Sequence, residues 1–341
     1  MVLFDGIVFS LQETGGISVL FSELISRMPA ASYELIGFRE TPPTALAGAT
    51  YSYQRPRPLE RYRRARTSSA LDVFHSTFYR LPTSKPSKVV TTVYDFTYER
   101  FAPVHRRVVH ALQKQKAIAG SDRIICISES VRRDLVEFSG QSIAGRALVI
   151  PLGASDSFYP LSEVAVFPQV LFVGKRSGYK NFAGVVEALS TLCDFTLVCV
   201  GGGAFTRAEL DLLERRIPRR YRFAGQLSAA ELNREYNRSL CLAYPSLYEG
   251  FGIPVIEAMR AGCPVIAVNR SAIPEVAGDA AFLLDTGHPE EIREAIQRVA
   301  VTATRNELVS AGRERAGLFS WGETYRRTRA VYEELSGHFL A

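Results

Sequence analysis

The sequence contains no apolar run of about 18 residues, the length that a membrane-spanning helix needs. Its first ten residues carry Asp5 inside a short apolar stretch, which argues against a secretory signal. The chain has 341 residues, of which 47% are hydrophobic and 22% charged, and this length indicates about two domains. We therefore expect a two-domain globular protein of the cytoplasm.

Patterns that bind zinc or form disulfides are also missing. The five cysteines have an odd total, no C-x-x-C spacing and no clustered histidines. The five are Cys126, Cys193, Cys199, Cys241 and Cys263, and most of them lie in apolar, strand-like runs. We interpret them as reduced core residues and expect no metal.

Excess positive charge is confined to the N-terminal half. Residues 1–160 hold 20 Lys and Arg against 14 Asp and Glu, whereas residues 161–341 hold 21 of each. Two basic runs contribute: Arg55, Arg57, Arg61, Arg63, Arg64 and Arg66, and then Arg106, Arg107, Lys114 and Lys116. An anionic partner such as a membrane surface is one explanation, and a solvated basic face is an equally good one. No aromatic-interleaved basic motif accompanies the charge, so we expect no nucleic-acid binding.

Short runs of Val, Ile, Leu and Phe alternate with helix-period segments, which predicts βαβ units around parallel sheets. The predicted strands are Leu3–Phe9, Glu34–Phe38, Asp72–His75, Lys88–Tyr94, Arg123–Ile127, Ala147–Ile150, Val170–Val173, Phe195–Val200, Arg222–Phe223, Cys241–Tyr244 and Pro264–Val268. The predicted helices are Ile17–Met28, His105–Ala119, Glu129–Phe138, Phe182–Leu192, Arg207–Arg216, Ala229–Asn237 and Gly322–Leu335, with Ser128 and Ser228 as caps. The stretch 158–168, which contains two prolines and has little periodicity, separates two such series, so we place the domain boundary at 160/161.

The most informative segment runs Tyr-Pro-Ser-Leu-Tyr-Glu-Gly-Phe-Gly-Ile-Pro-Val-Ile-Glu from residue 244. It follows a predicted strand and opens a helix at Pro254, which places Glu249 in a loop and Glu257 in the first helical turn. Gly250 and Gly252, on either side of Phe251, leave backbone N–H groups accessible to an anionic diphosphate at the helix N-terminus. Carboxylates accept hydrogen bonds from sugar and ribose hydroxyls.

This segment resembles glycosyltransferase family 4, a group of retaining enzymes with the GT-B fold, whose E-x7-E motif Glu249 and Glu257 match. The resemblance implies an α/β protein with two Rossmann-like domains facing each other across a cleft. Residues 1–160 would bind the acceptor and residues 161–320 the nucleotide sugar, with helix 321–341 packing back on the first domain. It also implies that Glu249 contacts the donor sugar and Glu257 the ribose. No cofactor or metal is implied, and no D-x-D motif contradicts this.

A second matching segment, Val-Gly-Lys-Arg-Ser-Gly-Tyr-Lys-Asn from residue 173, ends the first strand of the second domain. A departing diphosphate develops negative charge, which a fixed Arg and a Lys can stabilise without a metal. We predict Arg176 and Lys180 for this role. Their spacing is shorter than in many family members, so Lys175 can substitute for one of them.

Three glycine-containing loops complete the predicted donor site. Thr14-Gly15-Gly16-Ile17 resembles the family's loop that approaches the diphosphate, and glycine permits that approach. The resemblance also places Gly225, Gln226 and Leu227 along the base pocket. The glycines 201–203 lack the third glycine or alanine of a dinucleotide fingerprint, because Thr206 stands there, and this excludes nicotinamide.

The sequence departs from the family at Val-Tyr-Asp-Phe from residue 93, where many relatives have a His-Asp pair. Tyr94 replaces the histidine, and we expect Tyr94 and Asp95 to lie near the reacting sugar or the acceptor. His75 is a candidate to supply an imidazole from a neighbouring loop, although a lone histidine at a strand end is more often structural.

Within the family, the segments that begin at Tyr94 and Tyr179 look like those of bacterial surface-polysaccharide mannosyltransferases. The resemblance therefore implies a retaining hexosyltransferase that moves a mannose-like sugar, carried by GDP, to a lipid-linked, lipopolysaccharide or exopolysaccharide glycan. The enzyme would be cytoplasmic and peripheral at the inner face of the membrane. Two alternatives remain: a nucleotide-sugar epimerase or hydrolase that needs no acceptor, and a noncatalytic protein that binds a nucleotide sugar.

Overall fold

The computed structural model describes residues 1–12, 15–67, 72–84, 88–176 and 178–337, with the backbone alone at 104–107. Thr14 of the glycine loop, Ser177 of the basic loop and the end of the predicted C-terminal helix, 338–341, lie outside the described residues. In the described part of the chain, no helix combines the length and apolarity that crossing a bilayer requires.

The chain forms two compact units, one of residues 1–153 with the segment from Trp321 onward, and one of Ala154–Ser320. The division therefore falls seven residues before the predicted boundary. The reason is that segment 154–161 is fastened to the second unit. The backbone N–H groups of Tyr159 and Leu161 donate to the side chains of Asn233 and Asn237, at 3.1 and 2.6 Å.

The first unit contains, in its described residues, a seven-stranded parallel sheet with the order β3-β2-β1-β4-β5-β6-β7. Its strands are β1 (Val2–Asp5), β2 (Tyr33–Gly37), β3 (Tyr51–Tyr53), β4 (Val73–Ser76), β5 (Lys88–Val93), β6 (Arg123–Cys126) and β7 (Ala147–Val149). Its helices are α1 (Val8–Leu11), α2 (Gly16–Ile25), α3 (Thr97–Phe101), α4 (Val104–Ala119), α5 (Glu129–Ser139) and, after the second unit, α13 (Trp321–Ser336).

The second unit contains, among its described residues, a six-stranded parallel sheet with the order β10-β9-β8-β11-β12-β13. Its strands are β8 (Phe167–Val173), β9 (Thr196–Val200), β10 (Tyr221–Gly225), β11 (Ser239–Tyr244), β12 (Val265–Val268) and β13 (Phe282–Leu284). Its helices are α6 (Phe182–Ser190), α7 (Arg207–Arg216), α8 (Ala229–Arg238), α9 (Ile253–Arg260), α10 (Ile273–Ala277), α11 (Pro289–Val299) and α12 (Thr302–Ala316).

Most predicted elements and both caps are confirmed: the Ser128 hydroxyl accepts from the N–H of Val131, and Ser228 forms a capping box with Glu231. The predicted strand Leu3–Phe9 is wrong beyond Asp5, because the chain turns there into α1. Strands β3 and β13 and helices α3 and α10–α12 were not predicted. The apolar spacing at Ile292, Ala295, Ile296 and Val299, buried in α11, was a usable signal. Cys193 is exposed, unlike the other four cysteines.

A buried ion network joins β1 to the segment after β4. Arg80 is fully buried, and its guanidinium donates to Asp5 Oδ1 at 2.8 Å and to Glu60 Oε1 at 2.6 Å. Burial raises the pKa of Asp5 to about 6, against the opposing charge of Arg80. Burial would also raise the pKa of Glu60, but hydrogen bonds from Arg57 and the charge of Arg80 lower it to about 2. Three charged groups are thus held inside the first unit.

Helix α13 packs on the first sheet through aromatic rings. The Tyr332 ring contacts Phe4 of β1 and His75 of β4, with ring centroids 6.1 and 5.7 Å apart. The Thr324 hydroxyl and the Arg327 guanidinium donate to the carbonyls of Pro151 and Val149, at 2.8 and 2.6 Å. Helix α13 is therefore part of the first unit although it follows the second in the chain.

Candidate active site

The predicted donor-site residues of the second unit follow neighbouring parallel strands, at the carboxyl edge of its sheet. Lys175 and Arg176 come after β8, glycines 201–203 after β9, Gln226 after β10 and Glu249 after β11. The strand order changes direction between β8 and β11, and ligands of open α/β sheets bind outside the carboxyl ends at such a switch point. The topology therefore gathers these residues at one edge of the second sheet.

Lys180 and Glu249 form an ion pair at this switch point. Lys180 Nζ lies 2.5 Å from Glu249 Oε1, and both side chains are mostly buried. The ammonium also lies over the Tyr244 ring, 5.5 Å from its centroid. The backbone N–H of Leu247 donates to the Tyr179 carbonyl at 2.8 Å, which ties the two loops together. The pair presents one cation and one carboxylate at a fixed spacing.

Ser271, which the sequence analysis missed, holds the Glu249 backbone. The N–H of Glu249 donates to the Ser271 hydroxyl at 2.7 Å, and that hydroxyl donates to the Glu249 carbonyl at 2.9 Å. Ser271 has a left-handed backbone with φ of 50°, which is uncommon for a residue other than glycine. Ser271 follows β12, so residues after three strands, β8, β11 and β12, together fix the position of Glu249.

Glu257 lies in the second turn of α9 rather than the first, because the helix begins at Ile253. Its Oε2 accepts a hydrogen bond from the Tyr236 hydroxyl at 3.0 Å. Burial raises the pKa of Glu257 to about 7, and the hydrogen bond from Tyr236 opposes that shift. Glu257 therefore titrates near neutral pH, where a hydroxyl-rich ligand would favour its carboxylate form.

Arg176, predicted to face the diphosphate, is instead turned into the protein, with 2% of its side chain exposed. Its guanidinium donates to the carbonyls of Gly201, Gly203 and Ala204, at 3.0, 2.7 and 3.0 Å, and to Glu209. It also lies over phenylalanine rings, 4.8 Å from Phe205 and 5.7 Å from Phe223. In this conformation Arg176 holds a loop together.

The loop that Arg176 holds consists of three glycines in the left-handed region, with φ of 69°, 74° and 83° at 201, 202 and 203. A Cβ on Gly202 would lie 2.4 Å from the Gly174 carbonyl oxygen, so only glycine fits there. The loop therefore sits directly against the turn after β8. Lys175, the next residue in that turn, is exposed.

The remaining predicted donor residues of this unit divide into two sets. Gly225 ends β10 with φ of 77°, and after it Gln226 is exposed and Leu227 half-buried, so both border the glycine loop's edge of the sheet. Gly252 is the left-handed residue before α9, where a Cβ would lie 2.9 Å from Ile273 Cδ1. Phe251, beside Gly250, is buried against Phe319 with centroids 5.8 Å apart. Its ring therefore belongs to the core of the second unit.

In the first unit, Gly15 and Gly16 stand at the start of α2, where the Gly15 carbonyl accepts from the Ser18 hydroxyl at 2.9 Å. The Tyr94 ring is buried, and its hydroxyl donates to the Thr77 carbonyl at 2.9 Å. Asp95 is half-buried, and its Oδ1 accepts from the N–H of Thr97 at 2.9 Å. Of this pair, Asp95 has the side chain that solvent reaches, and Tyr94 supports the strand end.

The expectation that His75 supplies an imidazole to a ligand does not fit the structure. His75 is fully buried in β4, with Nδ1 2.5 Å from the Tyr332 hydroxyl and Nε2 2.9 Å from the Thr92 hydroxyl. Burial lowers its pKa to about 3. Both ring nitrogens are engaged, so His75 is a neutral core residue.

Comparison with known proteins decides the class. Residues 163–315, which lie within the second unit, match the family model described as "Glycosyl transferases group 1". The chain is 26% identical over 285 residues to the O-antigen chain mannosyltransferase B of Escherichia coli, covering 77% of this chain and 74% of that protein. This protein is a glycosyltransferase. A second Escherichia coli relative of the glycosyltransferase, the serotype-specific mannosyltransferase WbdA, is 32% identical over 225 residues, covering 60% of this chain and 28% of that protein.

Solved structures show that the glycosyltransferase has the GT-B fold. The sucrose-phosphate synthase of Thermosynechococcus elongatus superposes with a TM-score of 0.80 at 18% identity, covering 98% of this chain and 99% of the other. Anabaena HepE, in a complex with UDP and glucose, gives a TM-score of 0.75 at 16% identity, covering 97% and 98%. The predicted α/β fold with two Rossmann-like domains is confirmed.

Proposed function

We propose that this glycosyltransferase moves a hexose, mannose in the first instance, from a nucleotide diphosphate sugar, with retention of the anomeric configuration. The observation that carries the proposal is the Lys180–Glu249 pair, at 2.5 Å, on the switch point of the second sheet. The ammonium supplies positive charge for a diphosphate, and the carboxylate supplies acceptors for sugar hydroxyls. The names of the Escherichia coli relatives support mannose, and GDP is the proposed carrier.

The proposed reaction is a front-face substitution without a covalent enzyme intermediate. The acceptor hydroxyl attacks the anomeric carbon as the bond to the diphosphate breaks, and the departing diphosphate takes the hydroxyl proton. Charge then accumulates on the diphosphate, so fixed cations beside it stabilise the transition state most. Glu257 would hold the ribose. We propose that no metal takes part, and full transfer in excess chelator is the expected result.

Within the basic loop, we assign the diphosphate to Lys175 and Lys180 and give Arg176 a positioning role. Lys175 is exposed beside the glycine loop, whereas the Arg176 guanidinium is used on that loop's carbonyls. Arg176 would thus affect donor binding indirectly, by fixing the conformation of the glycine loop.

Lys175→Ala is expected to weaken binding of a nucleoside diphosphate by roughly 10-fold or more, the worth of a hydrogen bond to a charged group. Binding of the matching nucleoside should be unchanged, because Lys175 would contact phosphate only. Arg176→Lys should instead lower the melting temperature and weaken both ligands together, because a lysine cannot bridge the loop carbonyls. Calorimetric titration measures the dissociation constants of the nucleoside diphosphate and of the nucleoside, and their ratio gives the contribution of the diphosphate. Selective loss of the diphosphate contribution in Arg176→Lys, at unchanged melting temperature, would reverse the assignment.

The acceptor we propose is a lipid-linked or lipopolysaccharide glycan, which an enzyme meets at a membrane surface. The relatives' names support a polysaccharide acceptor, and the basic N-terminal half supports contact with anionic lipid. The glycosyltransferase would then work at the inner face of the cytoplasmic membrane.

Thermal unfolding with GDP, UDP, dTDP and ADP tests the donor site. A ligand at ~100 times its dissociation constant adds roughly 2.7 kcal/mol, which should raise the melting temperature by about 5 °C or more. We expect one selective shift, with GDP, and then transfer of mannose to a lipid-linked acceptor. Rapid breakdown of the donor without any acceptor would instead favour an epimerase or hydrolase. A selective shift without transfer to any acceptor would favour a noncatalytic binding protein.

A further inference from the structure

Helix α4 exposes apolar side chains on the face opposite its core contacts. Val109 and Leu112 are 51% and 56% exposed, and Val108 beside them is 47% exposed. The opposite face carries Ala117 and Ile118, which are buried. A surface helix normally has one apolar stripe, directed to the core. The second stripe of α4 therefore lies outside the core and is open to another partner.

Further apolar side chains extend this stripe into a surface. Tyr62 lines the same groove as Val109 and Leu112, which has a volume of about 680 Å³. Tyr98 of α3 is exposed and stacks on His110 of α4, with ring centroids 4.1 Å apart. We call the set Tyr62, Tyr98, Val108, Val109 and Leu112 the α4 surface. Exposed apolar patches of this kind mark protein or membrane contacts.

Cations border the α4 surface. Arg63, Arg64 and Lys116 line its groove. Arg63 and Arg64 donate to the carbonyls of Pro58 and Pro82, which satisfies hydrogen bonds without neutralising charge. Within the described ranges, none of these three cations forms an ion pair with a carboxylate. The surface therefore combines exposed hydrocarbon with uncompensated positive charge.

We propose that the α4 surface docks the first unit on an anionic lipid bilayer. The apolar side chains would enter the boundary between headgroups and acyl chains, and the bordering cations would face lipid phosphates. A second copy of this chain fits less well, because a two-fold interface would bring the same cations together. This docking would bring the enzyme to its membrane-bound acceptor, so the proposal rests on the proposed function.

Sedimentation with vesicles of phosphatidylcholine, with and without phosphatidylglycerol, tests the proposal on the full chain. Wild-type protein should bind the anionic vesicles, and salt should weaken the binding. The double variant Val109→Glu with Leu112→Glu should bind at least 10-fold more weakly. Lys116→Gln should lose about 5-fold, the factor that corresponds to ~1 kcal/mol for one cation at the surface.

Matched controls come from the second unit. Val301→Glu with Leu318→Glu changes two apolar residues that are 56% and 66% exposed, and Arg207→Gln removes one exposed charge. Both should bind vesicles as the wild type does. Equal vesicle binding by the Val109 and Leu112 double variant and by its control would overturn the proposal. Binding that is equally strong with and without phosphatidylglycerol would also overturn it. Loss of a dimer in the double variant, seen by analytical ultracentrifugation, would assign the surface to a second copy instead.

The GDP melting shift separates this proposal from the donor site. If the wild-type protein shows the melting shift with GDP but does not bind anionic vesicles, the docking proposal alone is overturned. If the wild-type protein binds anionic vesicles but shows no melting shift with any nucleotide, the donor-site assignment is overturned and the docking proposal is supported.

Discussion

Replacing Glu249 by Gln should lower the rate of sugar transfer by roughly 10²- to 10³-fold at saturating donor, the usual cost of removing a group that acts on the transition state. Glutamine keeps the side chain's shape but withdraws the charge that holds Lys180 at 2.5 Å. The freed ammonium would then pair with the bound diphosphate before the reaction as well as during it. Steady-state transfer of mannose to a lipid-linked acceptor measures the loss.

Lys180→Ala provides the partner measurement. If the pair works as one unit, the double variant should be about as slow as the slower single variant, since paired catalytic groups are strongly non-additive. Glu249→Gln should still show the nucleotide melting shift, whereas Lys180→Ala should lose most of it. Transfer within a few-fold of wild type in Glu249→Gln or Glu249→Ala would show that the site is assigned to the wrong residues.

Arg80→Met should lower the free energy of unfolding by about 3–5 kcal/mol, because it leaves the buried Asp5 carboxyl without its cation and removes one of the two arginines that pair with Glu60. Asp5 and Glu60 lie 2.8 and 2.6 Å from the guanidinium, and both are buried. The melting temperature should fall by roughly 10 °C. Denaturant unfolding with and without the substitution measures the difference.

The loss should depend on pH. The pKa of Asp5 is already raised to about 6, above its ordinary value, so the folded state favours its protonated form and stability falls as pH rises through that range. Without Arg80 the ionised form is costlier still, so Arg80→Met should lose more stability at pH 8 than at pH 5. Adding Asp5→Asn should recover part of the loss at pH 8. An equal loss at both values would show that packing, rather than charge, is what Arg80 supplies.

The strand ends that carry the proposed donor site could be predicted from local sequence. Glu249 and Lys180 each come just after an apolar strand run, and parallel strands end at one edge. The E-x7-E spacing and its glycines are likewise local. The Ser271 contact was out of reach, because its loop follows another strand and its left-handed backbone has no sequence signal comparable to glycine.

Side-chain direction within a loop could not be predicted either. Lys175 and Arg176 are neighbouring cations in sequence, and what separates them is a set of rings from distant segments. Phe205 and Phe223 attract the guanidinium inward, and the glycine loop offers it carbonyls. For the same reason the sequence left two roles open for His75, a structural one and the supply of an imidazole to a ligand. Its hydrogen-bond partner Tyr332 lies 257 residues further along the chain.

That long separation has a consequence for the order in which the protein is made. Strand β4, with His75, leaves the ribosome before the whole second unit, and α13 leaves after it. Domains generally fold as units during synthesis. The ring cluster of Phe4, His75 and Tyr332 therefore stays open while residues 154–320 are translated and fold. The unit whose synthesis begins first is therefore completed last, and until then the apolar rings of Phe4 and His75 lack their cover from Tyr332.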